Sequence, residues 1–182
     1  MKQKEQVKLR YFFLLTIVVA IFGVVRISKS IDFTVNCGGY LKRAADSTTI
    51  EIAKAELQRS VDYINEKKLD NGYTSVFINT PDEDLNFWAN NLRTALVELN
   101  TISPNTSALE KSNILIRLKE TLTDPGKHGV EVTVPEGISV YPNNQFYFFA
   151  FTLPLLVLLI YGLGLIAYCL NPEKIDKIET VL

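Results

Sequence analysis

The sequence predicts a mainly α-helical membrane protein. Two transmembrane helices flank an extracytoplasmic antiparallel helical bundle, or coiled-coil domain, of about three helices, with a small membrane-proximal β element. Three observations carry this prediction. Residues 11–25 and 146–170 contain no Asp, Glu, Lys or Arg, so the 21% charged content is concentrated elsewhere. The segment between them is long enough to bury a core of its own. Within that segment, apolar residues recur at alternating spacings of 3 and 4, the period of a helix with one buried face. Such a distribution excludes both a plain soluble globule and a disordered chain. A net charge of −1 over 182 residues also provides no global field for nucleic acid.

Residues 1–10 form a basic cytoplasmic tail carrying Lys2, Lys4, Lys8 and Arg10. The first transmembrane helix follows over 11–27, from the apolar run Tyr11–Val25 extended by a snorkelling Arg26 and Ile27. A basic tail before an apolar run also describes a signal peptide, but no A-x-A-like site follows, so an uncleaved signal anchor is expected. The second transmembrane helix, 146–170, is 25 residues without a charge. At 1.5 Å per residue it reaches about 37 Å, enough for a ~30 Å hydrocarbon core. Tyr141, Phe146, Tyr147 and Tyr168 supply interfacial aromatics at its ends. The tail 171–182 carries Lys174 and Lys177. Basic residues near the membrane ends thus favour cytoplasmic termini and place the domain 28–145 in the periplasm or outside the cell, with the chain in the inner or cell membrane.

Residues 27–145 hold 12 Lys/Arg and 16 Asp/Glu, making the domain mildly acidic. A first helix is predicted over Tyr40–Lys68, with Ile50, Ala53, Leu57, Val61 and Ile64 in phase and a break near Ser47–Thr48. Asp70-Asn71-Gly72 is its expected stop. A second opens on Thr80-Pro81-Asp82-Glu83, with Thr80 as cap and Pro81 at the first helical position. Its apolar face is Leu85, Trp88, Leu92, Ala95, Leu96, Leu99 and Ile102. A third opens on the capping box Ser107-Ala108-Leu109-Glu110 and runs through Leu115, Leu118 and Leu122 to an Asp124-Pro125-Gly126 turn. Ile31–Val35, Tyr73–Ile78 and Val130–Val134 alternate with period 2, and the first and last are expected to pair as a sheet at the membrane surface. Pro135–Asn144 reads as an ordered loop into the membrane.

Few residues carry chemistry. The lone histidine, His128, sits in a turn with no second metal ligand beside it. Cys37 and Cys169 are separated by a membrane thickness under the predicted topology, too far for a disulfide, and burial is the expectation for Cys37. Asp82-Glu83-Asp84 matches the acidic first turn of a helix and lacks calcium-loop spacing. No phosphate loop, nucleophile elbow or catalytic carboxylate motif is present, so no enzyme activity, cofactor or metal is expected.

Six residues are candidate partner contacts. Trp88 is the only tryptophan and doubles as a core residue or an interface anchor. Cys37 could bridge to a second copy. Gly162 and Gly164, with Ala167, allow close helix approach, first of all to Ala20 and Gly23 of the other span. Thr180 and Leu182 complete Glu179-Thr180-Val181-Leu182, a C-terminal pattern of the kind PDZ domains capture.

The runs Cys37-Gly38-Gly39-Tyr40-Leu41-Lys42-Arg43-Ala44-Ala45-Asp46 and Thr80-Pro81-Asp82-Glu83-Asp84, the latter followed by Phe87-Trp88, carry a resemblance. They resemble segments of uncharacterised bacterial membrane proteins that join an N-terminal anchor to a helical extracytoplasmic domain. The resemblance covers about residues 31–145 and implies a bacterial envelope setting, with no activity or site attached. The function expected is a non-enzymatic scaffold or accessory subunit of a membrane complex. Its partners would be the lipid bilayer and other envelope proteins or a second copy, with no nucleic acid and no small-molecule substrate. A sensory input module working with a separate output protein is the alternative, because the tails are too short to carry an output domain.

Overall fold

A computed structural model describes residues 2–126 and 129–169, with side chains over 10–124 and 130–164. The chain divides into two compact units, Met1–Val25 with Phe146–Leu182, and Arg26–Gln145. The fold is mainly helical with one small two-stranded antiparallel sheet.

The first unit is built from the N-terminal part of helix α1 (Lys2–Phe33) and from helix α6 (Asn144–Cys169). Both helices are long and apolar enough to cross a membrane. Their apolar side chains are spread around the helix rather than on one stripe, with the consecutive pairs Phe13 and Leu14, Leu156 and Val157, and Leu159 and Ile160 all exposed. Thr16 and Thr152 turn their hydroxyls onto the carbonyls of Phe12 and Phe148 four residues back. That satisfies the hydroxyls within the helix itself. Aromatic rings join the two helices: Phe12 meets Tyr161 at 5.6 Å between centroids, and Phe22 meets Phe146 and Tyr147 at 5.8 and 6.3 Å. The contacts pair opposite ends of the two sequences, so the helices are antiparallel neighbours. The expected close approach through small residues is not what joins them. A Cβ added at Gly23, Gly162 or Gly164 would meet nothing within 4 Å, because bulky rings make the contact instead.

In the second unit, Ile31–Val35 is helical, correcting the expected strand. The α1 helix runs to Phe33, a π-helical turn covers Thr34–Gly38, and α2 spans Gly39–Ala45. The alternation misled because only Phe33 is buried, while Ile31 and Val35 stay exposed. The π turn has local causes. Thr34 donates its hydroxyl to Ser30 O at 2.8 Å, and Asn36 donates to Asp32 O at 3.0 Å, so side chains compete for carbonyls of the preceding turn. Gly39 completes the turn with its N–H on Thr34 O, and a Cβ there would sit 3.0 Å from that oxygen.

Helix α3 spans Ile50–Lys67, capped by Thr49, whose hydroxyl accepts from Ile52 N at 3.4 Å. The predicted break falls between α2 and α3, where the apolar phase changes. The stop comes earlier than Asp70-Asn71-Gly72: Lys68 adopts the left-handed conformation at φ 56°, and Leu69 N bonds Ile64 O at 2.9 Å. Pro81–Glu83 is a single 3-10 turn, and α4 begins later, at Leu85–Thr101. Its cap is Asp84, which accepts from Asn86 N and Phe87 N at 2.9 and 3.2 Å, while Thr80 spends its hydroxyl on Glu83 at 2.6 Å. Helix α5, Ala108–Leu122, starts as predicted, with Ser107 accepting from Glu110 N at 3.2 Å.

The sheet also differs from expectation. Strand β2 (Gly129–Val132) pairs with β1 (Thr123–Gly126), placing Thr123 opposite Val132 and Asp124 opposite Glu131. The expected Asp124-Pro125-Gly126 turn is therefore strand, and a proline is tolerated there because a two-stranded ribbon is all edge. Tyr73–Ile78 is loop, with a single bridge from Tyr73 to Asp84. The expected loop Pro135–Asn144 is loop around a 3-10 turn, Ile138–Val140, except that Asn144 already opens α6. One buried cluster unites the unit: Leu41 and Ala44 from α2, Leu57 and Ile64 from α3, Leu85 and Leu92 from α4, and Leu118 and Leu122 from α5.

Candidate functional site

The residues singled out by sequence are not brought together. Trp88 is 7% exposed on the inner face of α4, and its indole N–H donates to Thr133 O at 2.9 Å, tying α4 to the chain just after β2. Cys37 is a free thiol with no exposed surface, set in the π turn. Ser60, itself fully buried, donates its hydroxyl to Cys37 O at 3.1 Å. Gly162 and Gly164 lie on α6 in the other unit. Thr180, Leu182 and His128 lie outside the described residues, as does the side chain of Cys169.

Burial pushes the Cys37 thiol up to about 12, with the Ser60 hydrogen bond opposing it weakly. A thiol so held is neutral at physiological pH and has no exposed surface from which to react. Burial, then the hydrogen bond to Asp32 at 3.0 Å, likewise hold the Tyr63 hydroxyl well above the usual phenol range. Among the described residues, no three His, Cys, Asp or Glu are placed to hold a metal ion.

The charged groups join elements. Arg93 on α4 bonds Asp70 at 2.6 Å and also Asn65, binding α4 to the end of α3. Arg43 on α2 bonds Glu56 on α3 at 2.8 Å, and Tyr40 stacks beneath Arg43 and Arg59. Glu56 is buried because α2 and α3 close over it. Arg117 pairs with Glu98 across α5 and α4. Asp82-Glu83-Asp84, read from sequence as a helix start, divides its work, with Glu83 holding Thr80 and Asp84 capping α4.

Sequence reasoning passed over the loop 71–80 by reading part of it as a strand. Thr74 N bonds Glu83 O at 3.1 Å and Leu85 N bonds Gly72 O at 2.9 Å, so the base of the loop is fastened to the start of α4. Its outer part holds Val76-Phe77-Ile78, with Phe77 70% and Ile78 77% exposed. The available signal was composition: ten residues without a charge, bracketed by Asn71-Gly72 and Thr80-Pro81. Comparison with protein-family models, with curated proteins and with solved structures finds no match for the chain.

Proposed function

We propose that the chain is a two-pass membrane protein of the cell envelope whose domain, residues 26–145, is a helical bundle outside the cytoplasm. It serves there as a non-enzymatic scaffold or accessory subunit for another membrane protein or a second copy. One observation carries the reading. The ion pairs Arg43–Glu56, Arg93–Asp70 and Arg117–Glu98 join elements of the domain and the Cys37 thiol is buried, while large apolar side chains stay outside. Ile52 on α3, Phe87 and Val97 on α4, and Leu109 and Ile116 on α5 are each 48–74% exposed. Exposed apolar surface on a domain with a closed core supports protein contact. The antiparallel contact of the two apolar helices supports a hairpin with both termini on one side, and the basic N-terminal tail supports the cytoplasmic side.

The test is cross-linking in cells with photoreactive residues at Val97 and Ile116. Discrete adducts, to one partner or to a second copy, are expected. A detergent-purified protein that is monomeric, with no adduct from either position, refutes the reading. Tags at each terminus that react with impermeant reagents in intact cells refute the orientation.

A further inference from the structure

The loop 71–80 is fastened to the stretch of chain that leads into the second apolar helix. Tyr141 donates its hydroxyl to Asn71 O at 2.6 Å, and Gln145 donates its side-chain amide to Val76 O at 3.1 Å. Gly72 makes room for the first bond. It sits at φ +89°, and a Cβ on it would fall 2.6 Å from the Tyr141 hydroxyl. Gln145 immediately precedes Phe146, the first residue of the 25-residue run without a charge. One peptide unit spans about 3.8 Å. The Val76 carbonyl is therefore held within a residue or two of the point where the chain enters its apolar segment.

The tip beyond that anchor is shaped and apolar. Ser75 donates to Asn79 at 2.9 Å and clasps Val76-Phe77-Ile78 between them. Phe77 and Ile78 are among the most exposed large apolar side chains of the unit, at 70% and 77%. No charged side chain occurs from Asn71 to Pro81, so no ionic charge in the loop resists a move from water to the headgroup region. Aromatic and apolar side chains at the level of the headgroups gain the transfer free energy that water withholds.

We propose that Val76-Phe77-Ile78 is a membrane-interface anchor: Gln145 and Tyr141 hold the loop at the bilayer boundary, and Phe77 and Ile78 enter the headgroup region of the same bilayer that α6 crosses. The proposal rests on the reading that residues 146–170 cross that bilayer. Its ligand is lipid, recognised by apolar partition and not by headgroup charge, since the loop offers none.

The full chain in phospholipid nanodiscs tests it, using tryptophans introduced singly as Phe77→Trp, Ile78→Trp and Leu156→Trp, with the parent supplying the Trp88 background. Lipids brominated at successive acyl depths report the position of each indole. The expected result is loss of the added emission at positions 77 and 78, greatest for shallow bromines about 5–10 Å into the boundary. Leu156→Trp, within the span, should respond to the deep bromines. If the 77 and 78 emission survives every lipid and yields to aqueous acrylamide while the 156 emission is quenched, the anchor is refuted and the span stands. If the 156 emission also escapes every lipid, the spanning reading falls and the anchor with it. Shielding from acrylamide without quenching by lipid, dependent on protein concentration, assigns the tip to a protein contact and overturns the proposal.

Discussion

In the unit Arg26–Gln145, Leu41, Leu57 and Leu85 have no exposed surface, whereas Leu14, Leu153 and Leu156 of the apolar helices leave more than half of theirs uncovered by protein. The same side chain is thus placed under two different rules. In the domain, leucine must find protein neighbours, and it does so on one face of each helix. Along the apolar helices it needs none under the proposed membrane placement, where hydrocarbon is as good a neighbour as another leucine. Truncating leucine should therefore cost very different amounts in the two places.

The largest expected effect tests this difference directly. Leu57→Ala should destabilise the domain by about 2–5 kcal/mol, the usual range for a fully buried leucine. Leu156→Ala should change it by less than about 0.5 kcal/mol, as for an exposed position. Denaturant titration of the detergent-solubilised chain, followed by Trp88 emission, measures both. Equal losses would break the contrast. Next in size is Trp88→Phe, which removes the indole N–H from Thr133 O and should cost about 1–3 kcal/mol. Circular dichroism of the same titration reads it without the lost fluorophore.

Smaller again is the cap of α4. Asp84→Ala should cost about 1 kcal/mol, whereas Thr80→Ala should cost less, because Thr80 makes no cap bond. A larger loss at Thr80 in the same titration would return the helix start to the position the sequence favours. The smallest effect at neutral pH concerns Cys37. The folded thiol titrates near 12 against an ordinary value of 9.0, so its neutral form favours the fold below pH 9, and that contribution fades as pH rises from 9 towards 12. The denaturation midpoint of Cys37→Ala should accordingly converge on or overtake that of the parent across this window. Maleimide should leave Cys37 unmodified at pH 7.5 until the domain is unfolded.

Much of this was legible because burial repeats. The α4 face from Leu85 to Ile102 could be read off in order, since each position returns to the core after three or four residues. The cap of α5 was legible because, among Ser103, Asn105, Thr106 and Ser107, only Ser107 has a Glu three residues on. At the start of α4 two caps compete four residues apart, and only the path of the chain, fixed by Thr74 N on Glu83 O, selects Asp84. Strand partners were not legible at all. Ile31, Phe33 and Val35 alternate, yet their backbone bonds are satisfied within a helix, and β2 instead takes a neighbour, Thr123–Gly126, that contains a proline. Nor was the exposed loop tip visible, because alternation over Tyr73–Ile78 says nothing about hydrogen bonds to Tyr141 and Gln145 some seventy positions away.

The π turn at Thr34–Gly38 carries a consequence for chain length. An α-helix advances about 100° per residue, so positions four apart drift about 40° at each step. Phe33, Cys37 and Leu41 are spaced by four and are all buried in one cluster, since about 80° of drift still fits one helix face. The wide turn between Phe33 and Gly39 holds one residue more than an ordinary turn. Removing one residue within Thr34–Gly38 would therefore let the helix close into ordinary turns with its flanking faces in phase, whereas a deletion elsewhere in α1 or α2 would swing them about 100° apart. Chains that share this domain should accept a one-residue gap at the π turn and keep apolar residues at the positions of Phe33 and Leu41.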